Sequence, residues 1–117
     1  MTRHQGFDVR VSPLVLAALE LAPARAPLTG RDKGFARTMR RLEREGTRAA
    51  GAKKLKGLDL WEIRFGSSRA FFRLVPHSDI IAVGLVQAKK ANRIPMRRLR
   101  HIERVVRAWS DEQEAGR

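Results

Sequence analysis

The sequence predicts an α+β domain: helices packed on a mostly antiparallel sheet of about four strands, with an N-terminal helical hairpin and a C-terminal helix. Three observations carry that expectation. Residues 60–65 place Trp61, Ile63 and Phe65 on one side of a strand and Glu62 and Arg64 on the other, the period-2 pattern of a half-buried antiparallel strand. Residues 79–88 are almost continuously apolar and β-branched, as a central strand requires. Met96, Leu99, Ile102, Val106 and Trp109 recur at steps of three and four, which draws one apolar face on a helix.

The remaining elements follow in chain order. Phe7, Val9 and Val11 alternate with Asp8 and Arg10, giving a short first strand. Ser12-Pro13 reads as a helix N-cap followed by proline at the first helical position, so a helix is expected over residues 13–21, ending before Pro23. Residues 22–28, with Pro23 and Pro27, form a connector. Residues 29–32 open a second helix, whose apolar stripe is Phe35, Met39 and Leu42 and whose stop is Gly46. Arg37, Arg41, Arg44 and Arg48 form a second stripe on another face, which suits solvent as well as a ligand. Residues 49–57 read as a basic, glycine-punctuated loop, and Gly66-Ser67-Ser68 as the turn into a returning strand over residues 69–75. Residues 76–79 turn the chain again into the central strand, and Pro95 starts the last helix, whose polar tail is expected to fray after about residue 110.

A chain of 117 residues with 43% hydrophobic content fits one domain over residues 1–117 with a core of its own. Cysteine is absent, which excludes disulfides, zinc–thiolate sites and thiol catalysis. The polar start lacks the apolar stretch of a signal peptide, and the longest apolar runs, residues 14–19 and 80–86, are too short to span a bilayer. The expectation is a cytoplasmic protein with no membrane partner. The 25 Lys+Arg against 12 Asp+Glu give a formal charge of +13, a field that attracts polyanions such as nucleic acid, the ribosome or an acidic protein.

The chain carries no GxSxG, HExxH, Walker or dinucleotide motif. His4, His77 and His101 are too scattered for a metal site, and Asp8, Asp59, Glu62 and Asp79 form no carboxylate pair. No metal and no cofactor is therefore expected. What remains is a set of cations at strand edges: Lys53, Lys54 and Lys56 before the second strand, Arg64 and Arg69 across one hairpin, and Lys89, Lys90 and Arg93 after the central strand. Like charges on one sheet face cost stability, so an anionic ligand explains their clustering better than folding does. Such residues suit metal-free RNA cleavage. The 2′-hydroxyl attacks the neighbouring phosphate, arginine grips that phosphate, and a lysine crowded by cations moves a proton. The product would be a 2′,3′-cyclic phosphate, and DNA would not be cut.

The order Lys53-Lys54-Leu55-Lys56-Gly57, Leu60-Trp61-Glu62-Ile63-Arg64, Ser68-Arg69-Ala70-Phe71-Phe72-Arg73, the apolar run 80–86 leading to Lys89-Lys90, and Ile94-Pro95 before an amphipathic helix closely resembles the RelE/HigB toxin superfamily, above all its phage-derived HigB-like branch. The resemblance covers about residues 53–109. It implies a RelE-like fold and the toxin of a type II toxin–antitoxin system. Such a toxin is an mRNA endonuclease that acts on ribosome-bound message and is held in check by a cognate antitoxin. On the residues it implies Lys54, Lys56, Arg64 and Lys90 as catalytic, with Arg64 and Lys90 on the phosphate and Lys54 or Lys56 as proton carrier or substrate grip. Lys53, Arg69, Arg73, Lys89, Arg93 and Arg97 would bind RNA. The chain departs from many relatives in having no tyrosine, and Val86-Gln87-Ala88 stand where a histidine usually precedes the basic pair, so the general acid or base is unassigned. Two other readings stay open at this stage: a ParE-like gyrase inhibitor of the same superfamily that cuts no RNA, and a non-catalytic nucleic-acid-binding module.

Overall fold

The computed structural model describes residues 6–20, 30–88 and 93–116, with the side chains of residues 20 and 30–33 left outside the description. The connector at 22–28, the threonine expected to open the second helix, and Lys89 and Lys90 lie outside the described residues. The order is β1 (Asp8–Val11), α1 (Pro13–Glu20), α2 (Gly30–Glu45), a 3-10 turn (Gly46–Arg48), β2 (Lys53–Lys54), β3 (Trp61–Phe65), β4 (Ser68–Leu74), β5 (Ile80–Ala88) and α3 (Met96–Ala115). The sheet runs β1-β5-β4-β3-β2, with β1 parallel to β5 and every other pair antiparallel.

Among the described residues the sheet has five strands rather than about four. The extra one is β2, inside the stretch expected to be loop. Lys53 and Lys54 pair with Glu62 and Trp61, and the Leu55 N–H donates to the Leu60 carbonyl at 2.9 Å, so the lysine run closes on β3 as an edge strand. Lysine is a common edge residue because its charge blocks further strand addition.

Both faces of the sheet are covered. On one face α1 and α2 pack Val15, Phe35, Met39 and Leu42 against Ile63, Phe65, Ala70, Phe72, Ile81 and Val83. On the other, α3 sets Ile102 and Val106 against Leu58, Leu60, Phe71 and Leu85, and Trp109 against Val75, Ile80 and Ala82. Phe71 and Phe72 point to opposite faces and are both fully buried, each worth roughly 1.5–3 kcal/mol of transfer free energy. The alternation in β3 therefore separates two buried layers, not core from water: Glu62, on the nominally polar side, is only 6% exposed.

A bulge adjusts the fit of α3. Phe71 pairs with Leu85 and Phe72 with Val83, which leaves Gly84 unpaired between them. Two consecutive residues of β5 then face α3, as bulges allow. A Cβ on Gly84 would sit 2.9 Å from the Val106 Cα, so the bulge and the missing side chain together let the helix backbone approach the strand. Ser12 binds the same place from the opposite side. Its hydroxyl accepts from the Val15 N–H at 3.2 Å, capping α1, and donates to the Gly84 carbonyl at 3.3 Å.

The C-terminal helix continues to Ala115, past Ser110 where the sequence predicts fraying. Tertiary contacts hold it. The Trp109 indole N–H donates to the Arg10 carbonyl at 3.0 Å, and Arg10 Nη1 donates to Gln113 Oε1 at 3.2 Å. Pro95 caps this helix from just outside, accepting the Leu99 N–H at 3.0 Å, rather than occupying its first turn. No helix among the described residues is long and apolar enough to cross a membrane.

Candidate nucleic-acid interface

The two-residue turn Gly66–Ser67 fixes the register of the β3–β4 hairpin and, with it, which charges meet. Phe65 pairs with Ser68, so Arg64 stands directly opposite Arg69, and Glu62 opposite Phe71. Across the next strands Lys53 opposes Glu62 and Arg69 opposes Gln87. Directly opposed residues share a face. Lys53, Glu62, Arg64, Arg69 and Gln87 thus form one patch on the α3 side, at the hairpin end of the sheet.

Their environments differ. Lys53 and Arg64 are exposed, whereas Arg69 is buried and its Nη1 lies 3.4 Å from Glu62 Oε1, with side-chain exposures of 6% and 8%. Arg98, at the start of α3, closes over the patch and donates through Nε and Nη2 to Gln87 Oε1 at 3.3 and 3.1 Å. Beside it runs a groove of about 560 Å³ between the β2 segment and the approach to α3. Lys53, Lys56 and Arg93 form its rim, and Leu55, Ile94, Pro95, Met96 and Leu99 line it.

The structure therefore leaves Lys53, Lys56, Arg64 and Arg93 exposed: Lys53 shares the face and end of the sheet that hold Arg64, and with Lys56 and Arg93 it rims the groove, Lys56 lying past the Leu55–Leu60 pairing, toward the end of β3 away from the hairpin. Arg97 is exposed in the first turn of α3, which holds no acidic residue. Cations at a helix N-terminus oppose the macrodipole, a cost that a bound anion would offset. Lys54 goes elsewhere: it opposes Trp61 on the other face, and its ammonium donates to the Leu58 carbonyl at 2.8 Å. Lys89 and Lys90 lie outside the described residues, immediately beyond Ala88, which pairs with Ser68 at the hairpin end.

Arg73 is not part of the patch. It lies four positions beyond Arg69 on β4, roughly 13 Å along the strand. Its Nε contacts Asp59 Oδ2 at 2.5 Å and its Nη1 donates to Ser110 Oγ at 2.9 Å, which ties β4 to the β2–β3 connection and to α3. Arg107 also reaches Asp59 Oδ2, at 3.5 Å. Arg73→Met is expected to destabilise the fold by about 1–3 kcal/mol, because Ser110 is buried and loses its partner. Urea unfolding checks this; an unchanged midpoint would remove Arg73 from the structural frame.

Sequence reasoning missed Glu62 as the buried counter-charge and Arg98 as the partner of Gln87. The first depends on strand register, and the turn read as Gly66-Ser67-Ser68 is one residue longer than the Gly66–Ser67 turn that sets Glu62 diagonally across from Arg69. The second depends on the docking of α3, which brings Arg98 to β5. Among the described residues no group of three His, Cys, Asp or Glu could hold a metal. The available chemistry is that of guanidinium and ammonium groups: binding phosphate oxygens and stabilising charge that develops on them.

No family model matches the chain, and no curated protein matches it. Among solved structures, a chain of the archaeal RelE–RelB complex from Pyrococcus horikoshii OT3 is similar. It shares 18% identity, the match covers 73% of this chain and 97% of that one, and the TM-score is 0.57. A likeness at this identity is one of fold, and the fold of this chain is RelE-like.

Proposed function

We propose that this chain is the toxin of a type II toxin–antitoxin pair, a metal-independent endoribonuclease that cuts mRNA on the ribosome. The observation that carries the reading is the exposed pair Lys53 and Arg64 on one face of a RelE-like sheet, beside a groove rimmed by Lys53, Lys56 and Arg93 whose described lining holds no acidic residue. A net charge of +13 supplies the long-range attraction to RNA.

In this reading the RNA backbone lies across the patch. Arg64 binds the scissile phosphate and stabilises the phosphorane. The 2′-oxygen bonds to phosphorus while the bond from phosphorus to the 5′-oxygen breaks. The proton of the 2′-hydroxyl passes to a base, and the departing 5′-oxygen takes one up. Lys56, exposed on the groove rim, is assigned the proton transfer; Lys90 is assigned to the same phosphate as Arg64. Lys53, Arg93, Arg97 and Lys89 hold neighbouring phosphates. The experiment is induction in bacterial cells with mRNA 5′ ends mapped by primer extension. New ends inside translated regions support the reading, and growth arrest with intact mRNA defeats it.

The proposal includes a partner. The similar archaeal chain was solved in a RelE–RelB complex, and an apolar groove with a basic rim suits an acidic amphipathic segment of an antitoxin. Co-expression with the small gene adjacent to this one is expected to restore growth. Persistent arrest, with both proteins expressed and soluble, would reject that gene product as the antitoxin.

A further inference from the structure

The patch holds one carboxylate among its cations, and that carboxylate is buried. Glu62 sits between two arginines with different fates. Arg64 is two residues along the same strand on the same face, so Glu62 could pair with it. Arg69 lies directly opposite Arg64, and it is Arg69 that Glu62 holds, at 3.4 Å, below the surface. Arg64 stays exposed and makes no ion pair among the described residues.

We infer that Glu62 is a positioning residue: by holding Arg69 in a buried ion pair across from Arg64, it keeps Arg69 away from the substrate phosphate and is itself kept from neutralising Arg64. Each half of the pair silences the other. A carboxylate left to itself on this face would turn to Arg64 and take the cation that the phosphate needs. An arginine left to itself opposite Arg64 would compete for the same phosphate and hold it off line. Paired, the two are neutral together and leave one guanidinium, that of Arg64, projecting from the patch. Burial makes the arrangement stiff, since breaking such a pair leaves an uncompensated charge in a poorly solvated place.

This inference rests on the proposed reading for the cleavage step, but its binding arm does not. Affinity for a single-stranded DNA oligonucleotide, which lacks the 2′-hydroxyl and is not cut, is measured against salt; the slope counts phosphate contacts, at about 0.7 per contact. Cleavage is measured on an mRNA carrying the same sequence in a translating extract, and folding of each variant by thermal unfolding. Glu62→Gln releases Arg69 towards the phosphate, so the slope steepens by about 0.7 and binding tightens. Its kcat on RNA falls on the order of 10-fold to 100-fold, because the phosphate is now shared and misplaced. Arg69→Met lets Glu62 turn to Arg64, so the slope flattens as much as it does in Arg64→Ala. The double variant Glu62→Gln/Arg69→Met buries neither charge and regains the wild-type slope.

A double variant as flat as Arg69→Met would make Arg69 a phosphate contact in its own right and overturn the inference. Equal slopes in all four proteins, with the only change in the unfolding temperature, would also overturn it and leave the pair a purely structural one. Should a single variant fail to fold, the double variant decides alone: the wild-type slope supports the inference and a flatter one rejects it. Wild-type protein that binds DNA and cuts no mRNA in the translating extract defeats the endonuclease reading, and the slopes remain the test of Glu62.

Discussion

Arg64→Ala is expected to lower the rate of mRNA cleavage on the order of 10²–10³-fold, the usual cost of removing one donor aimed at developing negative charge. The fold should survive unchanged, because Arg64 is exposed, makes no ion pair among the described residues, and contributes no atom to either core layer. The measurement is primer extension of cellular mRNA after induction, with purified protein checked by circular dichroism and thermal unfolding. Lys90→Ala serves beside it as the second phosphate variant. Loss of the new 5′ ends in a folded Arg64→Ala protein places that guanidinium at the reaction. Cleavage at the wild-type rate would move the site off this patch, and with it the role proposed for Glu62. An intermediate result is informative in the salt dependence: a residue that only grips phosphate changes affinity and its salt slope, whereas one that stabilises the transition state lowers kcat.

Gly84→Val is expected to destabilise the protein by about 3 kcal/mol, at the upper end of what overpacking costs. The space is already closed: a Cβ there meets the Val106 backbone at 2.9 Å and the Val106 side chain at 3.2 and 3.3 Å. Backbone on one side and a buried strand on the other leave no flexible side chain to yield, so α3 must lift from β5. That helix supplies Arg98 over the patch and Met96 and Leu99 along the groove, so activity should fall with stability. Gly34→Ala is the matched control. Its Cβ would meet nothing closer than 3.8 Å, and alanine gains up to about 1 kcal/mol over glycine inside a helix. Urea unfolding of the two variants should move in opposite directions. A Gly84→Val protein as stable as wild type would show that the α3–β5 approach relaxes freely.

Much of this architecture was legible in local pattern. The hydroxyl of Ser12 caps α1 as its place before Pro13 indicates, and the stripe of Ile102, Val106 and Trp109 buries as its spacing requires. The alternation of Trp61, Ile63 and Phe65 sets the helix-hairpin face of β3. The cationic character was legible too, because net charge needs no coordinates. Two kinds of fact were not. Edge pairing is one: Lys53 and Lys54 look like loop because a two-residue strand has no period of its own and exists only against β3.

The other is which charges are available to a ligand. The sequence by itself determined the fold class, the cationic character and the residues from which a phosphate site could be built, since hydrophobic period and net charge are properties of the chain. Tertiary structure alone decided that Arg69 and Arg73 are spent on Glu62 and on Asp59 and Ser110, while Arg64 is left exposed. The physical reason is that an arginine in a strand reads the same whether its guanidinium meets a carboxylate or water. The difference comes from strand register and from the helix docked on the other face, and both are set by contacts between residues far apart in the chain.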